Sequence, residues 1–291
     1  MVENTVDGKF FVTARGWEDL SEILKSYEEL QVEIGEELIG EFLQKEEIAR
    51  DFAGYYRLYE KYKSDYQIQE ILDGNVISGQ LKTCCDMGKK ASFEERFTVT
   101  EMLLEAVTER ISVFQKIDEK TEKLYENLKL LKIFLQEKNS VEAMEQFVAS
   151  RRKALDAKIC SELLTAEEAA REEEQIRILE EYFFQLKELH ISDVAEGIEQ
   201  IGERFGNVCR LRNEKLEETK KMLEQAFSFL EECFGEGQEL LLFETGLTGD
   251  DRCSIFISQY GCPSYFKHCE LLLYSKKENE LRKECRDLLE E

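Results

Sequence analysis

Two histidines, His190 and His268, and nine cysteines, at 84, 85, 160, 209, 233, 253, 262, 269 and 285, are the side chains best suited to metal binding or nucleophilic chemistry. Cys253, Cys262, His268 and Cys269 bring together thiol and imidazole, the donor types of a zinc site. Their spacing lacks a close pair separated by two residues, so buried thiols are expected rather than a metal centre. The adjacent Cys84 and Cys85 read as a thiol pair in a linker. The odd number of cysteines shows no repeated framework, and reduced thiols are expected.

Other familiar chemistry is missing. The chain contains no Gly-x-x-x-x-Gly-Lys-Ser/Thr, Gly-x-Gly-x-x-Gly, His-Glu-x-x-His, Cys-x-x-Cys or Gly-x-Ser-x-Gly. The run Gly235-Glu236-Gly237-Gln238, followed by Leu240-Leu241-Leu242-Phe243-Glu244, has the outline of a phosphate loop or of a strand ending in a catalytic acid. It lacks the lysine and hydroxyl that hold phosphate and magnesium, so a helix break is expected there. No catalytic residue is expected in this chain.

The side-chain balance narrows the class further. With 39 Lys+Arg against 63 Asp+Glu, the net charge is −24, and the basic run Arg151-Arg152-Lys153 lies in acidic surroundings. Such a chain lacks the basic footprint of a nucleic-acid binder and is repelled by anionic membranes. No apolar run approaches the length of a membrane span and no signal-peptide core follows Met1, so a cytoplasmic protein is expected. Pro263 is the single proline, and 35% of residues are charged, which together favour long helices over a many-turned β fold.

The periodicities agree with an all-α fold. Trp17, Leu20, Leu24 and Tyr27 share one helix face, and Leu38, Ile39, Phe42 and Leu43 mark a short second helix. Ile48, Phe52, Tyr55, Tyr59, Tyr62 and Tyr66 form an aromatic stripe that would close a small bundle over residues 1–74. Residues 75–91, with Gly79 and Gly88, read as a linker. Ser92-x-x-Glu95, Thr98-x-x-Glu101 and Thr165-x-x-Glu168 have capping-box spacing. Leu103, Val107, Ile111, Phe114, Ile117, Thr121, Leu124, Leu128, Leu131 and Leu135 trace a near-heptad seam. Asn139-Ser140 interrupts it, and further seams run through Val141 to Ile159, Ile176 to Leu186 and Val194 to Cys233. The region 92–234 is therefore expected to be a long helical hairpin or coiled coil, pairing within one chain or between chains. Residues 235–291 are expected to form a compact helical element ending in a charged helix from about Ser275.

One segment suggests a specific relationship. Phe10-Phe11-Val12-Thr13-Ala14-Arg15-Gly16-Trp17-Glu18-Asp19-Leu20-Ser21, with Ile48-Ala49-Arg50-Asp51-Phe52-Ala53 and Tyr55-Tyr56-Arg57-Leu58-Tyr59-Glu60-Lys61-Tyr62, resembles the lid of MoxR-type AAA+ ATPases, in a branch associated with clostridial bacteria. Phe227 to Glu239 and Phe256 to Cys262 are similar to the tail of that branch. The resemblance is strong over about 10–66, fair over 222–274, and compositional between them.

The resemblance implies that the lid packs over a nucleotide and that Arg15, at the sensor-2 position, meets the γ-phosphate through its planar cationic fork. It also implies an α/β core with a phosphate loop and a magnesium-binding acid upstream, neither of which is in this chain. The expectation is the C-terminal part of a longer ATPase that remodels or assembles proteins. The chain alone would then hold no cofactor, with ATP and magnesium bound once the core is attached. Expected partners are that core or neighbouring subunits, together with client or adaptor proteins. A free-standing coiled-coil scaffold or adaptor without nucleotide chemistry is the alternative.

Overall fold

A computed structural model describes residues 2–5, 8–30, 32–75, 78–135 and 139–273. Among the described residues the chain is all-α apart from one short antiparallel hairpin, β1 (Val2–Thr5) with β2 (Gly8–Phe11), in which Val2 pairs with Phe11 and Thr5 with Gly8. β-Branched and aromatic residues favour extended backbone, and the helix-only expectation gave this end no weight. The helices are α1 (Ala14–Glu29), α2 (Glu36–Leu43), α3 (Glu46–Tyr66), α4 (Ile68–Asp73), α5 (Ser78–Gly88) and α6 (Phe93–Leu135). After them come α7 (Ser140–Cys160), α8 (Ala166–Glu188), α9 (Val194–Phe234), α10 (Gln238–Gly249), α11 (Asp251–Tyr260) and α12 (Pro263–Leu273). Among the described residues no helix is long and apolar enough to cross a membrane. The charged helix expected from about Ser275 lies outside the described residues.

Two compact units share the chain. Of the described residues, those within 1–103 and 229–243 make the first and those within 104–228 and 244–273 the second, so α6, α9 and α10 each contribute to both. This partition differs from a simple succession of lid, coiled coil and tail, because segments far apart in sequence close each unit.

In the first unit, Leu20, Ile39, Leu43, Ala49 and Ala53 form a core from α1, α2 and α3, edged by Val12, Leu24, Ile34, Phe42, Ile48 and Phe52. The expected tyrosine stripe is only partly inward. Tyr62 and Tyr66 are buried but Tyr55 is 48% exposed, and the inward position is taken by Tyr56, whose hydroxyl donates to Glu28 at 2.9 Å. The small Ala49 and Ala53 rotate the buried row of α3 by about one residue from the aromatic one. The stretch expected as a linker is mostly the helix α5, whose Cys84 and Cys85 are buried.

In the second unit, the C-terminal half of α6 packs with α7, α8 and the first part of α9. Their core contains Leu124, Leu131, Leu135, Met144, Phe147, Leu155, Ile176, Leu179, Leu186 and Ile201. The near-heptad seam of α6 is thus covered within its own chain, and Val107, Ile111 and Phe114 are also buried. The interruption at Asn139-Ser140 is structural: Asn139 caps α7 by accepting from the Val141 amide, and buried Ser140 donates to the Ile191 carbonyl at 2.7 Å.

The three capping boxes fare differently. Thr165 and Glu168 satisfy each other's backbone amides at the start of α8. Ser92 accepts from the Glu95 amide at 3.2 Å, while the Glu95 carboxylate takes the Tyr66 hydroxyl at 2.8 Å instead. Thr98 lies inside α6 and donates back to the Glu94 carbonyl, so it caps nothing. Leu240 to Phe243 are helical, as expected, and α10 continues through Gly246 to Gly249.

Candidate functional site

The run Thr13-Ala14-Arg15-Gly16-Trp17 builds the first turn of α1. Thr13 is the N-cap, accepting the Gly16 amide at 2.9 Å on its hydroxyl. Gly16 passes so close to α2 that a Cβ there would stand 2.8 Å from the Phe42 carbonyl oxygen, a contact no larger residue can make. Trp17 then packs edge-on against Phe52, with ring centroids 5.1 Å apart. These three contacts fix the start of the helix. Arg15 is thereby directed outward, its side chain 87% exposed and, among the described residues, tethered by Asp19 at 3.8 Å. An exposed ion pair of that length contributes little, so the guanidinium is available to another anion.

The neighbouring helix ends each place a glutamine in left-handed backbone, a region that favours glycine. Gln44 (φ 52°) closes α2, and Gln67 (φ 50°) separates α3 from α4. Arg50 on α3 is committed to Glu46 at 2.9 Å and Glu36 at 3.4 Å. Arg57 donates to the Ala53 carbonyl at 3.3 Å. Arg15 therefore presents an outward, weakly tethered cation at the start of α1.

The cysteine and histidine set does not converge. Cys253 lies 3.5 Å from the Thr108 hydroxyl, and burial pushes its thiol up to about 11. Cys262 donates to Glu224 at 3.3 Å and is pushed by burial up to about 12. His268 is buried and stacked on Phe227. Among the described residues no group of three or more His, Cys, Asp or Glu side chains could hold a metal ion. One thiol expectation needs correction: Cys85 is bonded to Cys233, 148 residues away. Nothing local in the sequence marks that pairing, since the two cysteines meet only when α5 packs on the end of α9.

Glu244, the acid at the end of the Leu240 to Phe243 run, is 2% exposed, and its Oε1 has no hydrogen-bond partner. Burial holds its carboxyl above the usual carboxylate range, with His268 pulling the other way. The unfolded chain thus ionises first, and stability falls as pH rises from the ordinary carboxylate range through the folded pKa. Glu244→Gln should flatten that slope, because a carboxamide does not ionise. Urea unfolding of both proteins between pH 4 and pH 8 checks this, and equal slopes would contradict it.

Two further constellations were invisible to sequence reasoning. Asp118, Arg212 and Tyr260 interlock in the second unit. A cavity between α6, α7 and α8 is lined by Lys123, Glu126, Asn127, Arg151, Lys158 and Gln175 among others. Neither has a local motif, because each draws its members from several helices. Comparison with protein-family models, with curated proteins and with solved structures gives no significant match.

Proposed function

We propose that this chain is the lid and C-terminal helical extension of a MoxR-like AAA+ ATPase, serving ATP-dependent remodelling or assembly of partner proteins in the cytoplasm. The observation that carries the reading is Arg15, an outward guanidinium fixed at a helix start by the Thr13 cap, the Gly16 approach and the Trp17 contact. Sensing a γ-phosphate needs that combination: a rigid base and a free cationic fork. Arg15 supplies one phosphate contact. The cradle of backbone amides and the magnesium-binding acid belong to the upstream core, which supplies the nucleotide chemistry.

Partners in this reading are the core itself, neighbouring subunits, and client or adaptor proteins that meet the acidic helical extension. With a net charge of −24, nucleic acid and anionic membranes are disfavoured. A scaffold zipped between chains has less support, because the seam residues Leu103, Val107, Ile111, Phe114, Leu124 and Leu131 are each at most 2% exposed within the single chain.

Two measurements test the proposal. The native protein, detected in its own cell through a peptide containing Tyr265 and Phe266, should run well above 34.1 kDa. In that longer polypeptide, Arg15→Ala should lower ATP turnover by about tenfold or more, the loss expected for one charge-assisted hydrogen bond to phosphate. A native species of 34.1 kDa with no associated ATPase, or turnover unchanged by the substitution, would overturn it.

A further inference from the structure

A short helix has to bury an apolar face to persist, and α5 has only 11 residues. Its face is thin. From Leu81 to Gly88 the buried residues are Cys84, Cys85 and Gly88, Leu81 and Met87 are half-buried, and Lys82, Thr83 and Asp86 are exposed. The shorter α4 buries Ile68, Ile71 and Leu72. Two thiols and a glycine remove much less apolar surface from water than those three side chains do, so packing alone anchors α5 weakly. The bond from Cys85 to Cys233 is what ties it to the end of α9.

The neighbours of that bond show what closure covers. Gly88 meets the Phe234 ring, where a Cβ would stand 2.8 Å away. Cys84 reaches the last turn of α3, its sulfur 3.8 Å from the Asp65 carbonyl oxygen and 3.9 Å from that of Tyr66. A thiol is a weak donor, and at these distances it adds little hold. Cys84 is itself buried, and burial pushes its thiol up, so it is a slow nucleophile while α5 is closed. Cys85 and Cys233 are buried too. A thiolate must reach one of the bonded sulfurs to break the bond, so attack from solvent waits on an opening of the contact between α5 and α9.

We propose that the bond between Cys85 and Cys233 is a reversible redox latch: formed, it holds α5 on the end of α9, and broken, it releases α5 and uncovers Cys84 and the last turn of α3. Closing transfers two electrons from the two thiols to a small disulfide such as glutathione disulfide. Cys85 and Cys233 lose their protons and join through a mixed disulfide, while the bond of the small disulfide breaks and its halves take up the two protons and leave as thiols. Opening is the same exchange in reverse, with glutathione as the reductant. The latch lies within the first unit and does not depend on nucleotide sensing by Arg15.

Hydrogen exchange of the full chain in glutathione buffers, followed by mass spectrometry, tests it. Reduction should speed amide exchange in α5 by at least about tenfold more than in α3, because α5 loses its main anchor while α3 keeps its core. Alkylation of Cys84 by iodoacetamide, measured on the tryptic peptide 83–89, should quicken by a similar factor. The exposed Cys160, outside the first unit, is the reference thiol whose rate stays the same. Glutathione disulfide should restore the slow rates in the natural chain, and Cys85→Ser should keep the fast ones at every glutathione ratio. Equal acceleration in α5 and α3 would mean that the bond steadies the whole unit, and rates in α5 that ignore reduction would mean that its packing suffices. Either result overturns the latch, as does a reduced chain that fails to re-form the bond.

Discussion

Reducing the bond between Cys85 and Cys233 should lower the unfolding free energy of the first unit by about 2–5 kcal/mol, the usual loss when a native cross-link is removed. The bond joins positions separated by 148 residues, and in the chain-entropy view a longer loop gives a larger effect. Both cysteines are buried, at 5% and 1% exposure, in a contact that is already close. A Cβ on Gly88 would stand 2.8 Å from the Phe234 ring, so α5 at Gly88 packs directly against that side chain at the end of α9. The neighbouring Cys84 does not rescue the pairing. Its thiol is pushed up by burial and lies 3.8 and 3.9 Å from the Asp65 and Tyr66 carbonyls, which makes it a poor nucleophile for exchange near neutral pH.

Trp17 is the chain's single tryptophan and lies in this same unit, so its fluorescence reports the relevant unfolding step. Urea titrations with and without reductant should separate for the natural chain and coincide for Cys233→Ser. A natural chain whose midpoint ignores reductant would show that the bond contributes nothing. A cytoplasmic setting would expose this bond to thiol reductants, and the first unit would then work nearer its reduced stability.

Local pattern was legible in the sequence where a feature is decided within a few residues. The helix of Trp17, Leu20 and Leu24, the cap and glutamate at Thr165 and Glu168, and the α6 seam all repeat at helical spacing, and each is found as read. Features decided by a distant partner were not legible. Gly88 reads as a linker glycine because loops favour glycine, yet here it admits an aromatic ring from residue 234. Tyr55 and Tyr56 are adjacent, and which one turns inward depends on whether Glu28 is in reach of a hydroxyl. Thr98 has the right spacing for a capping box but lies past the true start of α6 at Phe93. The Arg15 site was readable as a start signal through Thr13, Arg15, Gly16 and Trp17, while the reason for the glycine emerged only with the Phe42 carbonyl beside it. The buried unpaired atoms of Arg151 and Gln175 had no signal at all. Arg151 sat in a basic run read only as lying in acidic surroundings, and nothing in a sequence marks a donor left unpaired.

Arg212→Met should cost about 2–3 kcal/mol in the second unit, through loss of a fork that three groups depend on. Its Nε donates to Asp118 at 2.7 Å and its Nη2 to the Tyr260 hydroxyl at 2.7 Å. Tyr260 in turn donates to the other Asp118 oxygen at 2.6 Å, which closes the network on both sides of the carboxylate. The guanidinium also lies 5.4 Å from the Phe114 ring centre and 5.3 Å from that of Tyr260, while those two rings meet edge-on at 5.5 Å. Burial together with the Asp118 carboxylate raises the Tyr260 hydroxyl to about 12, so it stays a donor at any physiological pH. Methionine keeps the apolar stem but leaves Asp118 with one partner, an uncompensated charge.

The loss falls below the roughly 3–5 kcal/mol of a fully buried pair because the Asp118 side chain retains 29% exposure and can recruit water. Most of the loss should come from the stranded carboxylate rather than from the missing attraction, and a double-mutant cycle separates the two. Asp118→Asn together with Arg212→Met should recover about 1 kcal/mol or more relative to the sum of the single changes, read by calorimetry of the unfolding transition. Additive losses would mean that Asp118 and Arg212 stabilise the unit independently, with the rings carrying the effect and the ion pair only decorating them.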